Sequence, residues 1–444
     1  MLTWLGFGMV TTFMTLIMTR RLSPLVALIA VPILFALLGG FAGLQLGEMM
    51  LAGLRTLAPT GVMLMFAILY FGLMIDAGLF DPLIRAILRA VHGDPTRIVV
   101  GTALLAALVS LDGDGSTTYM ITVAAMLPLY RRLRLDPLNL TCVTILASGV
   151  MNLTPWGGPL ARAASALHVD PAEVFVPMLP AMATGLVGVF ALAWLLGRRE
   201  KQRLGRLSLS AAATIEEGAA DATDSALLPP QAHVDALRRP KLLAVNALLT
   251  LALLVALVLG VLPLPVLFMI AFALALVINY PKVADQRERV AAHAKNVIAV
   301  VSLIFAAGIF TGILGGTGML DAMAKSMLGL VPPALGPFLA PITALASLPF
   351  TFFVSNDAFY FGVVPIVAET AREFGIAPVE IARASLIGQP VHLLSPLVPS
   401  TYLLVGLAGV EFGDHQRFTL KWAALVCVLM LLASLACAVF PLAT

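Results

Sequence analysis

Apolar residues run along the chain in blocks of roughly 18 or more, separated by short polar or basic connections. That length carries an α-helix across a hydrocarbon core of about 30 Å. The blocks predict spans near 2–19, 23–44 and 60–79, a broken apolar stretch 98–130, an interrupted span 138–166 and a span 176–197. A polar insert, 198–241, follows. Beyond it come spans near 242–261, 265–280 and 297–315, a second broken stretch 337–371, an interrupted span 379–408 and a final span 420–442. Each half is therefore expected to hold five spans and one re-entrant hairpin. Strand-period alternation is missing, so a membrane β-barrel is not expected.

Composition turns this pattern into a membrane assignment. Of 444 residues, 60% are hydrophobic and 11% charged, whereas globular proteins carry about a quarter charged residues. A soluble fold is excluded, because no water-facing surface can be built from so few polar groups. The net charge of +3 does not point to nucleic acid, since the basic residues lie in clusters between apolar blocks. With the N-terminus placed outside, 22 of the 27 Lys and Arg fall in connections on the inner side. These are Arg20, Arg21, Arg85, Arg89, Arg97, Arg131, Arg132, Arg134, the eight within 198–241, Lys282, Arg287, Arg289, Lys295, Arg417 and Lys421. Arg55, Arg162, Lys325, Arg372 and Arg383 remain elsewhere. The positive-inside rule favours this orientation, with both termini outside and the 198–241 loop cytoplasmic. That loop, rich in Ala, small polar and charged residues, reads as a flexible linker between units 1–197 and 242–444. The first apolar block lacks a basic leader and is expected to be a retained span. Cys142, Cys427 and Cys437 show no metal-ligand spacing and imply no disulfide framework.

The halves resemble one another at a shift of 241. Tyr119 and Tyr360, Pro137 and Pro378, and Pro155 and Pro396 all stand in that relation. A repeat with five spans, an odd number, must enter the membrane upside down the second time. The charges agree: "YRRLRLDP" carries three Arg and its counterpart "TAREFGIAP" one. Inverted repeats with broken helices are the build of secondary transporters, whose sites lie near the midplane where the repeats meet.

Polar groups inside apolar blocks mark the candidate site. The tip of the first broken stretch reads "SLDGDGSTTYM", where Asp112 and Asp114 beside Gly113 and Gly115 must stop the helix, with Ser116 and Thr117 just beyond. A calcium loop is excluded, because the later acidic ligand positions are missing. The second tip, "PFTFFVSNDAFYFG", sets Ser355, Asn356 and Asp357 against Asp114, Gly115 and Ser116. Together the tips offer carboxylate, amide and hydroxyl oxygens, the donor set of a hard divalent cation. Ser355 and Asn356 also suit a helix cap. "GVMNLTPWGGPLARAAS" and "GQPVHLLSPLVPSTYLL" carry the other breaks, whose prolines and glycines cannot continue a helix. The resulting half-helix N-termini suit a carboxylate, and Asn152, Thr154, Gly157, Gly158, Ser395, Ser400 and Thr401 lie beside them. Arg162 reads either as a bidentate carboxylate clamp or as an outer interfacial residue. His392 reads either as a proton carrier or as a packed polar residue, and Asp76 as interfacial.

At these motifs the chain resembles the citrate–divalent metal–proton symporter family of bacteria, within the ion-transporter superfamily. The resemblance spans nearly the whole chain and rests on "FAILYFGLMIDAGLFDP", "LDGDGSTTYMITVAAMLPLY" and "MNLTPWGGPLARAASALHVDPAE". It implies an all-α polytopic protein of the bacterial cytoplasmic membrane, a non-enzyme that imports citrate as a divalent-metal complex with protons through an elevator-like movement. No tightly bound cofactor is expected. The expected partners are the citrate–metal complex, protons and the lipid bilayer, and a homodimer is a possible assembly. In related dicarboxylate/sodium symporters two Ser-Asn-Thr tips hold sodium and substrate. Here Asp357 takes the third place of the second tip and the first reads Asp114-Gly115-Ser116, a departure that favours a divalent cation or protonation over sodium. The metal is then expected among Asp112, Asp114, Asp357 and citrate oxygens. A sodium-coupled carboxylate symporter without metal and an intramembrane aspartyl hydrolase are the competing readings.

Overall fold

A computed structural model describes residues 1–19, 21–91, 93–113, 115–204, 237–329 and 331–444, with the side chains of Met18, Leu83 and Asp112 outside that description. Every regular element among these residues is helical. Among the described residues six helices are long and apolar enough to cross a membrane, and six shorter apolar helices of 10–17 residues accompany them.

The first half contains α1 (Leu2–Met18), α2 (Pro24–Leu38), α3 (Gly43–Asp76) and α4 (Asp81–Val91). A hairpin of α5 (Pro95–Val109) and α6 (Gly115–Arg132) follows, then α7 (Pro137–Met151), α8 (Gly158–Leu167) and α9 (Pro171–Leu204). The second half contains α10 (Leu243–Val258), α11 (Leu264–Asn279), α12 (Val283–Gly316), α13 (Met319–Leu328) and α14 (Leu339–Phe353). A single turn Asn356–Ala358 and a π-turn Phe359–Val363 lead into α15 (Val364–Arg372), and α16 (Pro378–Ser385), α17 (Pro399–Ala408) and α18 (Phe412–Ala436) complete the chain. Most elements recur at a fixed distance. Helices α1, α2, α3, α7, α8 and α9 begin 240 or 241 residues before α10, α11, α12, α16, α17 and α18 (for α3 and α12, 283 − 43 = 240).

Helices α3 and α12 form the longest contact in the fold and run antiparallel. Met49 lies against Gly312 and Gly316, Gly53 against Gly308, Gly61 against Phe305 and Gly72 against His293, and Asp76 meets Arg289 at 3.2 Å. Their closest crossing depends on missing side chains. A Cβ at Gly53 would lie 1.9 Å from the Gly308 carbonyl oxygen. In lipid, where two helices gain nothing by leaving water, such small-residue crossings supply the packing.

Two groups of helices result. Helices α1–α3 with α10–α12 pack on one another, and the hairpins pack with α7, α9, α16 and α18. Polar contacts sort onto two ends. At one end Lys201 Nζ meets Asp94 at 2.8 Å, Arg238 Nε meets Asp81 at 2.9 Å, and Arg239 Nε donates to the Asn279 carbonyl at 2.8 Å. At the other, Thr3 donates to the Ala322 carbonyl, Arg383 donates to the carbonyls of Glu173 and Val439, and Thr444 donates to that of Phe374.

Several boundaries depart from the pattern of apolar blocks. The block at 60–79 is only the latter half of α3, a 34-residue helix that begins at Gly43. Mixed polarity around Glu48 and Arg55 hides the first half. Helices α4 and α13 have no counterpart among the expected spans. In α4, Ile87 and Val91 are buried while Arg85 and Arg89 are exposed, the stripe of a helix lying along a surface. Helix α9 continues to Leu204, seven residues into the segment expected as a linker. Residues 205–236 of that segment lie outside the described residues.

Candidate functional site

The two breaks form because proline removes a donor from the helical ladder and glycine makes the helical backbone costly to order. Helix α7 ends at Met151 with Asn152 as its C-cap, and the chain crosses Thr154-Pro155-Trp156-Gly157 before α8 starts at Gly158. In the second half α16 ends at Ser385, a short turn Gln389–His392 follows, and α17 starts at Pro399. Asn152 and Gly158 are half-buried, and Thr154 and Gly157 are buried. No partner for the Thr154 hydroxyl occurs among the described residues.

The hairpin tips meet these breaks in two ways. Each tip touches the break of its own half. At the first, Gly113 adopts φ 77°, a left-handed conformation open to glycine at little cost. A Cβ there would lie 3.1 Å from the Trp156 ring. Trp156 Nε1 donates to the Leu111 carbonyl at 2.8 Å. At the second, the amides of Asn356 and Gln389 exchange hydrogen bonds at 3.4 Å in each direction. Gln389 Nε2 also donates to the Tyr360 hydroxyl at 2.8 Å, and Tyr360 donates to the Ser385 carbonyl at 3.3 Å.

Each tip also reaches the broken helix of the other half. A Cβ at Gly115 would stand 3.5 Å from the Ser400 hydroxyl, so α6 starts beside the first turn of α17. Across the pseudo-equivalent position, Arg162 Nε of α8 donates to Asp357 Oδ1 at 2.6 Å, while its Nη1 donates to the Gly158 carbonyl at 3.0 Å. Both side chains are largely enclosed, at 21% and 14% exposure. The guanidinium is therefore held between a tip carboxylate and the first turn of its own helix. It neutralises a tip carboxylate.

The remaining candidates have local partners. Ser355 caps the second tip by accepting the Ala358 N–H at 3.2 Å. Ser395 accepts from Leu397 N–H at 3.2 Å, and Thr401 donates across the break to the Leu393 carbonyl. His392 is buried and its Nδ1 donates to the Thr351 carbonyl at 2.7 Å, which fixes its tautomer in the neutral ring. Ser116 and Thr117 occupy the first turn of α6, half-buried. Asp114 lies outside the described residues, as does the side chain of Asp112. Among the described residues no group of three His, Cys, Asp or Glu side chains stands in metal-binding arrangement. A cavity of about 420 Å³ opens beside the second tip, lined by Ser355, Asp357, Leu397, Ile17 and the Leu22-Ser23-Pro24 connection between α1 and α2.

Three participants escaped the sequence reading. Gln389 and Tyr360 orient Asn356, and Trp156 ties the first tip to its break. Tyr360 was visible as half of a repeat pair; Gln389, second in the second broken motif, carried no signal of its own. Asp76, read as interfacial, joins Arg289 at 3.2 Å and His293 Nε2 at 2.9 Å between α3 and α12.

Two hairpins whose tips meet two broken helices, packed beside a second group of apolar helices, are the build of a polytopic helical transporter. The fold is similar to the crystal structure of the Alcanivorax borkumensis YdaH transporter, with TM-score 0.55 and 13% identity over 89% of this chain and 89% of that one. It is also similar to the structure of Neisseria gonorrhoeae MtrF, with TM-score 0.55 and 15% identity over 88% and 83% of the two chains. The profile of the citrate transporter family matches residues 13–388, and the chain belongs to that family. It is 59% identical over 435 residues to a citrate transporter of Bacillus subtilis, covering 98% of both chains. It is 54% identical over 430 residues to the Mg(2+)/citrate complex secondary transporter of the same organism, covering 97% of both. The relatives are named as transporters, in line with a non-enzymatic role.

Proposed function

We propose that this protein imports citrate as a complex with a divalent cation, by proton symport, across the bacterial cytoplasmic membrane. The observation that carries the reading is the meeting of a second-half tip with a first-half broken helix at Arg162 and Asp357. The 54% identity to a transporter named for the Mg(2+)/citrate complex supports the metal. Chelation also answers an electrostatic difficulty. Free citrate near neutral pH is close to trianionic, and a bound divalent cation leaves about one negative charge to be carried through a low-dielectric interior. In this reading Asp112, Asp114 and Asp357 face the cation as carboxylate donors. Asn152, Thr154, Ser355, Asn356, Ser400 and Thr401 receive the citrate oxygens, with Ser116, Thr117, Gly157, Gly158 and Ser395 shaping the breaks. Arg162 then exchanges between Asp357 and a citrate carboxylate, and a buried carboxylate or His392 takes the proton.

The proposed architecture is two inverted repeats, 1–197 and 242–444, joined by a cytoplasmic linker with both termini outside. The recurrence of helix starts at 240 or 241 residues and the antiparallel pairing of α3 with α12 support the inversion. The sorting of basic residues toward the Asp94–Lys201 end supports the orientation. The hairpins, α7–α9 and α16–α18 would move as the transport unit of an elevator against α1–α3 and α10–α12. Because the cavity at Asp357 is bordered by the α1–α2 connection, assigned to the inner side, the conformation is read as inward-open.

Uptake of radiolabelled citrate into energised membrane vesicles tests this. Uptake is expected to need a divalent cation, to stop with a chelator and to fall when the proton gradient collapses. Uptake indifferent to both, or driven by sodium when it replaces potassium, rejects the mechanism in favour of a metal-free sodium symporter.

A further inference from the structure

A cavity of about 1010 Å³ lies away from the tips and breaks, in a groove between α4, α5 and the end of α9. Its back wall is closed where α5 and α9 converge, since a Cβ at Gly197 would lie 2.6 Å from the Thr96 Cα. Its lower part is apolar and open, with Ile87 on one side and Leu104, 36% exposed, on the other. Its rim is basic. Arg97, Arg198 and Lys201 all line it, and Asp94, held by Lys201 at 2.8 Å, is the acid among its lining residues. The Arg198 guanidinium stacks over the Trp194 ring at 4.7 Å, and Trp194 is 49% exposed. Neither Arg97 nor Arg198 has an acidic partner among the described residues.

These features are separated along the helix axis as a lipid is along its length. Leu104 stands seven residues beyond Arg97 on α5, about 10 Å deeper at 1.5 Å per residue. Trp194, Arg198 and Lys201 share one face of α9 at spacings of four and three residues, and an exposed indole beside basic residues is the composition of a membrane interface. We infer that this groove is a binding site for an anionic phospholipid of the cytoplasmic leaflet, whose headgroup phosphate meets Arg97 and Arg198 and whose acyl chain lies over Leu104 and Ile87. Two unpaired guanidiniums over an apolar slot match a phosphodiester on a hydrocarbon chain, and match a zwitterionic lipid or a soluble anion less well. The inference rests on the membrane orientation proposed above and is independent of the transported substrate.

The test is native mass spectrometry of the full-length, delipidated protein titrated with phosphatidylglycerol or with phosphatidylcholine of the same acyl chains. Phosphatidylglycerol is expected to be retained preferentially, and the Arg97→Gln/Arg198→Gln variant to weaken its binding about tenfold, from roughly a factor of a few per basic residue. Leu104→Trp, which fills the slot and keeps every charge, is expected to weaken it too. Thermal unfolding close to that of the unaltered protein shows that both variants are folded. Equal retention of the two lipids, unaltered phosphatidylglycerol binding in both variants, or full displacement by millimolar inorganic phosphate would each overturn the inference, the last by showing a site for a free anion.

Discussion

Arg162 and Asp357 stand 195 positions apart in the chain and 2.6 Å apart in space. One lies on the helix that restarts after the first break, the other on the second hairpin tip. A charge pair at that junction ties the two halves together at the place where substrate is expected to enter.

Removing either partner leaves the other enclosed and unpaired. Asp357→Asn and Arg162→Gln should each reduce citrate uptake at least about tenfold and destabilise the protein by about 1–3 kcal/mol. The double variant should recover most of the stability, because no orphan charge remains, and none of the uptake. Uptake in vesicles beside thermal unfolding in detergent reads both. Recovery of uptake in the double variant would make the pair a packing feature alone.

Gln389 holds Asn356 by the reciprocal amide contact and the Tyr360 hydroxyl by a 2.8 Å bond. With Gln389→Leu the second tip loses its orientation while its own residues stay in place. The apparent KM for citrate should rise about tenfold with a smaller change in maximal rate, the pattern expected when binding geometry is impaired. Concentration-dependent uptake separates the two parameters.

The crossing of α3 and α12 should tolerate no side chain at Gly53. Gly53→Val puts atoms where the Gly308 carbonyl oxygen stands, 1.9 Å from the new Cβ, and should cost at least about 3 kcal/mol. Gly47→Ala, six residues earlier on the same helix and with nothing within 4 Å, should be neutral or mildly stabilising. Comparative thermal unfolding distinguishes them.

Asp94 couples stability to pH. Burial pulls its pKa upward, but the hydrogen bonds from Lys201 and the Thr96 N–H outweigh it and hold the carboxyl below its ordinary 3.8. A depressed folded-state value means the contribution is complete above 3.8 and is lost as pH falls through the lowered value. Asp94→Asn, which still caps α5, should destabilise by at most about 1 kcal/mol at pH 7. The difference should shrink as pH falls below 3.8 and vanish once the carboxyl is protonated in the folded state. A difference that persists in acid would mean that the ion pair is not its source.

Orientation has a direct readout. With the exposed Cys437 replaced, Gln202→Cys should react with a membrane-impermeant maleimide only after the cells are opened, and Ala334→Cys in intact cells. Both positions are exposed, whereas Cys142 and Cys427 are buried and should stay silent. Reversed labelling would invert the proposed topology.

How much of this was legible in the chain follows from what each feature needs. The hairpin tips were readable because Asp, Gly and Asn inside apolar blocks are tolerated in lipid only where protein or a water-filled cavity receives them. The breaks were readable because Pro155, Gly157, Pro396 and Pro399 interrupt the helical ladder wherever they fold. The 241-residue register of Pro137 with Pro378 reappears in the helix starts of both halves. The first half of α3 and the short helices α4 and α13 were not readable, since their mixed polarity matches neither a full span nor a polar loop.

By itself the sequence determined the all-helical membrane character, the places where helices must stop, and the family. These depend on local composition, on spacing within one helix or hairpin, and on similarity along the chain. The tertiary structure decided that Arg162 is spent on Asp357, that Gln389 and Tyr360 aim Asn356, and that α3 and α12 touch through bare backbone at Gly53 and Gly308. Those pairings join residues far apart in sequence, and the partner of a buried polar group is chosen by whichever groups the packed helices bring within reach.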